Sequence, residues 1–308
     1  MLDIVGRRFW FFLVSGVIIL VAIIALATPG LKSGIEFSSG SMMAVRFEQP
    51  VDQGELKKEL AGLGYANAIV QSEVRPTGGG VFYVRTAELS DVEKSHLEGA
   101  LAVRFGNLNE TEFSSVSPMV AAETARNAAI AVAVAAVGVL LYVTWAFRRM
   151  PRPFRYGTCA IIALAHDALV AMGVFSILGG ILGWEINLMF ITGILAVIGY
   201  SVNNTVVVFD RIRENLTKGI SRDFEVVVNN SLIETLSRSL NTSLTTLLVV
   251  IALLLFVGAT IQNFAVVLLI GIIAGTYSSL CLAPMLLVVW EKREWGRFLR
   301  RSSSVRPA

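Results

Sequence analysis

The chain has 308 residues, of which 55% are hydrophobic and only 16% charged. A soluble protein of this size needs more charge to cover its surface, so the composition excludes an ordinary soluble chain. The net charge of +3 follows a membrane topology and is not a nucleic-acid footprint; no nucleic-acid partner is expected.

The first element is an uncharged run, Phe9–Thr28. It is too long for the apolar core of a signal peptide and has no clean small-x-small cleavage site after it, so it reads as a retained span. Residues 1–28 are expected to form a short inner terminus and this first span.

Residues 29–125 change character and are expected to form an extracytoplasmic α+β domain. Period-2 runs at Ser41–Glu48, Ala68–Arg75, Val81–Ala87 and Glu110–Val116 predict four strands. Between the first two, Asp52 caps a helix to Leu63, with Leu56, Leu60 and Leu63 on one face. Thr77-Gly78-Gly79-Gly80 predicts a hairpin. A second helix, Ser90–Phe105, opens on a Ser90/Glu93 capping box. The order βαββαβ predicts a ferredoxin-like sandwich. His96 is expected on its solvated face. No catalytic triad or metal cluster is visible, which points to a binding or mechanical role; no enzyme activity, metal or cofactor is expected.

Five more apolar blocks follow in residues 126–290: Ala128–Phe147, Tyr156–Leu182, Ile186–Phe209, Ser239–Phe256 and Phe264–Trp290. With the first run they make six transmembrane helices, each near the ~20 residues that cross a bilayer. A polar, partly helical cytoplasmic loop is expected near 210–238, and a basic cytoplasmic tail over 291–308. With the N-terminus inside, the inner segments hold 17 basic and 8 acidic residues, whereas residues 29–126 hold 9 and 13. That asymmetry places both termini in the cytoplasm and residues 29–125 outside. Both cysteines, Cys159 and Cys281, lie in spans, so no disulfide framework is expected.

Ionisable groups inside a span are costly and mark ion paths or internal hydrogen bonding. His166 and Asp167, near the middle of span three, meet that description. In span four, Thr192, Ala196, Gly199 and Asn203 share one small or polar face expected to pack closely, with Tyr200 and Asn204 on an adjoining face. The span ends in the charged run Asp210-Arg211-Ile212-Arg213-Glu214. Helical rise puts Asn204 and Arg238, on spans four and five, about 27 and about 30 Å from the outer surface, hence at similar depth. There Arg238 either snorkels or reaches an acceptor on span four or on a partner.

The run from Gly199-Tyr200-Ser201-Val202-Asn203-Asn204-Thr205 to Asp210-Arg211-Ile212-Arg213-Glu214-Asn215 resembles the span-four signature of the SecD/SecF family of bacterial protein-export membrane subunits. His166-Asp167, Glu234-Thr235-Leu236-Ser237-Arg238, Ser117-Pro118-Met119-Val120 and Gly34-Ile35-Glu36-Phe37-Ser38-Ser39-Gly40 match further family motifs in order. The resemblance implies half of a resistance-nodulation-division-type transporter in the bacterial cytoplasmic membrane. It implies a SecD-like partner, the SecYEG channel and an unfolded translocating polypeptide, with an ion gradient, of protons or sodium, driving export. It makes Arg238, Asp167, His166, Asn204 and Asn203 ion-coupling candidates. Gly199, Tyr200, Asp210, Arg211 and Glu36 stand as packing or motif residues. Where the family has Asn-Asp-Thr, this chain has Asn203-Asn204-Thr205; an amide does not titrate, so the acid is expected on the partner, near Arg238, with Asp167 secondary. Glu36 replaces an aspartate and Ser39 a glycine. Two alternatives stay open: half of an exporter of lipids or small molecules, and a non-coupling assembly subunit.

Overall fold

A computed structural model describes residues 3–73, 80–256 and 259–294. They divide into two compact units. One holds residues 32–130 with 185–188; the other holds the remaining described residues.

The first is an α+β unit. A short helix α2 (Ile35–Ser38) leads into β1 (Gly40–Phe47), α3 (Gln53–Gly62), β2 (Ile69–Glu73), β3 (Val81–Thr86), α4 (Asp91–Phe105) and β4 (Leu108–Val116). The four antiparallel strands lie in the order β2-β3-β1-β4, the ferredoxin-like arrangement the sequence implied. Both helices begin where the sequence placed a cap. Asp52 Oδ1 accepts from the amides of Gly54 (2.8 Å) and Glu55 (3.1 Å), and Ser90 and Glu93 close a reciprocal capping box. One face of the sheet gives Met43, Val45, Phe47, Phe82 and Val84 to the core, and the helices cover it with Leu56, Leu60, Leu97 and Leu101. A bulge between Ala44 and Val45 admits Thr111 on β4, whose hydroxyl donates to the Ala44 carbonyl at 3.1 Å. His96 is exposed. The expected Thr77–Gly80 turn lies largely in residues 74–79, outside the described residues.

The second unit is helical, and the chain has six membrane-length apolar helices among the described residues. These are α1 (Arg8–Ala27), α5 (Pro118–Ala146), α6 (Phe154–Leu182), α7 (Leu188–Lys218), α8 (Phe224–Phe256) and a last span. The last span joins α9 (Ala259–Tyr277), a π-helical segment (Ser278–Leu282) and α10 (Ala283–Lys292). Pro284 explains the break: it lacks the N–H that would bond the carbonyl four residues back. Small residues set the crossings. Gly173 on α6 leaves no room for a side chain against Ala22 on α1, and Gly271 and Gly275 on α9 press on Val197 and Ser201 of α7.

The polar segment 210–238, expected to be partly helical, is helical except for one turn. Helix α7 runs on to Lys218 and α8 starts at Phe224, leaving a turn of residues 219–223. Ion pairs Asp210–Arg213 (2.6 Å) and Glu214–Lys218 (2.6 Å), at helical spacing, carry the helix on past the apolar stretch. The face of α7 holding Gly199 and Asn203 is exposed, so it does not pack within this chain. The chain's own packing uses the neighbouring face, with Gly193, Val197 and Ser201. Of the basic tail, residues beyond 294 lie outside the described residues.

Near the first residues of α1, a buried Arg8 bonds Glu225 at 2.7 Å and Glu294 at 2.8 Å. The side chain of Asn229 accepts from the amides of Ile4 (2.9 Å) and Val5 (3.2 Å). These bonds join one end of α1 to the first turns of α8 and to the end of the last span.

A candidate ion-coupling site in the helical unit

Asp167 is fully buried on α6. Its Oδ2 accepts from the hydroxyl of Ser201 on α7 at 2.6 Å and from Ser278, the first residue of the π-helical segment, at 2.7 Å. Its Oδ1 lies 3.1 Å from Nδ1 of the buried His166. Three spans thus meet at one carboxylate. Both lengths fall within the ordinary range of O–H···O hydrogen bonds. A carboxylate in an apolar interior persists only with such donors. Nε2 of His166 is buried and has no partner among the described residues.

Three further hydroxyls around this acid were missed by the sequence reading. Thr276, Tyr277 and Ser278 are consecutive, and each reaches a different neighbour. Thr276 donates to Ser243 on α8 at 2.7 Å, and Tyr277 donates to the Phe11 carbonyl on α1 at 2.8 Å. Tyr200 on α7 donates to the same Ser243 at 3.0 Å, so it belongs to this network. The available signal was the run Thr276-Tyr277-Ser278-Ser279 inside an otherwise apolar span. Four successive hydroxyls there demand partners.

Helices α7 and α8 run antiparallel, and their bonds fix the register. Tyr200 meets Ser243, Arg211 Nε meets Glu234 at 2.6 Å, and Asn215 Nδ2 meets Ser231 at 3.0 Å. Four residues on from the first pair, this ladder puts Asn204 level with Ser239, and so with its neighbour Arg238. Asn204 and Ser239 are both buried, and Asn204 Nδ2 and Ser239 Oγ lack partners among the described residues. Asn204 is one turn, about 4.5 Å, along α7 from Ser201. Arg238 points the other way: it is exposed and makes no ion pair among the described residues. Asn203 is exposed as well. Asp210 and Arg211 sit in surface ion pairs lacing the extended helices, Arg211 also bonding Glu214 at 2.6 Å. Glu36 lies apart, half-buried in the first turn of α2 in the α+β unit.

Six spans with one ferredoxin-like domain after the first define the half-unit of a resistance-nodulation-division-type transporter. Residues 97–293 match the family described as "Protein export membrane protein SecD/SecF, C-terminal", and residues 24–51 match its "SecD/SecF GG Motif". A protein translocase subunit SecF from Thermobaculum terrenum is 44% identical over 310 residues, covering 98% of this chain and 98% of that one. A SecDF subunit from Bacillus subtilis is 34% identical over 95% of this chain, which spans 38% of that longer protein. The crystal structure of SecDF, a translocon-associated membrane protein from Thermus thermophilus, superposes with a TM-score of 0.83 at 32% identity, over 95% of this chain and 39% of the other. The chain belongs to the SecD/SecF family of protein-export membrane proteins.

Proposed function

We propose that this chain works with a SecD-type partner in the bacterial cytoplasmic membrane, beside the SecYEG channel, and uses an ion gradient to promote export of unfolded polypeptide. On this reading both termini lie in the cytoplasm and residues 29–125 outside, which the distribution of basic residues supports. The fused SecD and SecF halves of relatives support the pairing. The observation that carries the coupling is the Asp167 carboxylate, held between α6, α7 and the last span by two hydroxyls and His166.

Loading a proton on Asp167 removes the charge at which Ser201 and Ser278 aim. The bonds joining three spans then weaken together, which gives a gradient two packings to choose between. A sodium ion at Oδ2 would have to displace both hydroxyl bonds, so we take a proton as the loaded ion. Arg238, exposed and level with Asn204, is placed to pair with an acid on the partner. The test is gradient-driven export by the complex: Asp167→Asn should abolish it while the complex still assembles, and wild-type export by that variant sinks the proposal.

One observation favours a second reading, an assembly subunit that does not couple: Asn204 stands where the family has an aspartate. On that reading, Asp167→Asn and Arg238→Met both export normally and only partner binding matters.

A further inference from the structure

The turn between α6 and α7 does not belong to the helical unit. Residues 185–188 are built into the α+β unit. Ile186 forms a parallel bridge with Ser33: its amide donates to the Lys32 carbonyl at 2.7 Å, and its carbonyl accepts from the Gly34 amide at 2.8 Å. A side chain on Gly34 would come within 2.9 Å of that carbonyl, so the approach requires glycine.

Arg85 on β3 completes the joint. Its Nη1 lies 2.7 Å from the Ser33 carbonyl and 2.9 Å from Glu185 Oε2, and its Nη2 bonds the Ser38 hydroxyl. One planar fork thus grips the strand-like segment after span one, the end of α2 and the turn joining spans three and four. Lys32 and Glu36 also act on Glu185. Burial keeps the Glu185 carboxyl above its ordinary range despite Arg85. A pair whose desolvation outweighs its attraction adds little stability, so its contribution is geometric.

We propose that Arg85 is a positioning residue for export: it makes the α6–α7 turn a part of the outer domain, so that movement of α6 or α7 at the coupling site reaches the sheet. This rests on the reading of Asp167 as the loading site, since Asp167 and Ser201 lie on the two helices that the turn joins. In this proposal Arg85 transmits and binds neither ion nor polypeptide.

The test uses the full chain with its SecD-type partner in vesicles, and follows proton uptake by a pH-sensitive dye, gradient-driven export, and amide hydrogen exchange. In Arg85→Met, the Gly34 and Ile186 amides should exchange at least tenfold faster, while Met43 and Val84 in the sheet core keep wild-type protection. Proton uptake should stay within twofold of wild type, and export should fall at least fivefold. Arg85→Lys, which keeps the charge but not the fork, should fall between. Faster exchange at Ile186 with wild-type export overturns the inference, as does proton uptake falling in step with export, or a sheet that loses its protection. Glu185→Gln separates folding from positioning, because it removes the charge pair and leaves the Arg85 bonds to Ser33 and Ser38; normal export in that variant counts against the joint. If Asp167→Asn exports normally, the loading site is elsewhere and the inference falls with it. If Asp167→Asn is dead and Arg85→Met is normal, only the transmission step is wrong.

Discussion

Ser278 Oγ stands 2.7 Å from Oδ2 of Asp167, joining residues 111 apart in sequence and two different spans. A hydrogen bond to a charged group contributes about 1.5–3 kcal/mol. Ser278→Ala should therefore lower gradient-driven export roughly tenfold or more, a factor within that energy range, while the complex still forms. Ser278→Thr, which keeps the hydroxyl, should restore most of it. Export assays on membrane vesicles separate the two outcomes; equal activity in both variants would mean that this bond only packs the span.

At Arg238 the expected partner is a carboxylate outside this chain. Arg238→Met should abolish gradient-driven export and leave the complex intact on gel filtration. Asn204→Ala should be milder. Asn204→Asp should be tolerated or should improve coupling, because it returns an acid level with Arg238. A dead Asn204→Asp with a normal Arg238→Met would reverse the assignment.

Ser39 has φ +64°, a left-handed conformation that a serine adopts at a cost. Ser39→Gly should stabilise the α+β unit by about 1 kcal/mol. The neighbouring Gly40 has φ +119°, and a Cβ there would fall 2.5 Å from the Thr86 carbonyl. Gly40→Ala should strip protection from the β1–β3 amides, cutting it at least a hundredfold. Hydrogen exchange on the full chain reads both.

Glu185 predicts a pH dependence. Its pKa is raised by burial, more than Arg85 lowers it. A raised carboxyl contributes stability that is fully present below its unfolded pKa and is lost as pH rises through the folded value. At about pH 7.5 the ionised side chain therefore costs stability, and Glu185→Gln should melt no lower than wild type. The difference should shrink as the pH falls toward the carboxyl range. A variant that melts well below wild type at neutral pH, with the gap unchanged in acid, would show the ion pair to be a net stabiliser.

Much of the architecture could be read from local pattern. Asp52 and the Ser90/Glu93 pair mark helix starts because capping is a matter of three or four neighbouring residues. The spans show because lipid demands some twenty apolar residues in a row. The Asp167 site was half legible. The acid itself is conspicuous in an apolar run, but Ser201 and Ser278 are small residues of a kind that spans tolerate anywhere. Which of them meets Asp167 depends on how three helices cross, and that is set by Gly271 and Gly275 against α7. The face of α7 that this chain covers was not legible for the same reason: small residues lie on two adjoining faces, and periodicity cannot say which one the chain covers itself. The segment 210–238 looked only partly helical because it is polar. Its charges are spaced three and four apart, which supports a helix as readily in water as apolar residues do in lipid.

The π-helical segment has a mechanical consequence. A turn holding one residue more than its neighbours is like a ruck in a carpet: it can be passed along without lifting the whole. Handing the surplus residue to the next turn trades one set of backbone bonds for another, and it turns the residues it has passed by about 100°. Ser278, the first residue of that ruck, could swing away from Asp167 while Pro284 and the buried Met285 and Leu287 stay where they are packed. The last span is thus a helix with slack at one place, and the slack lies beside the buried acid.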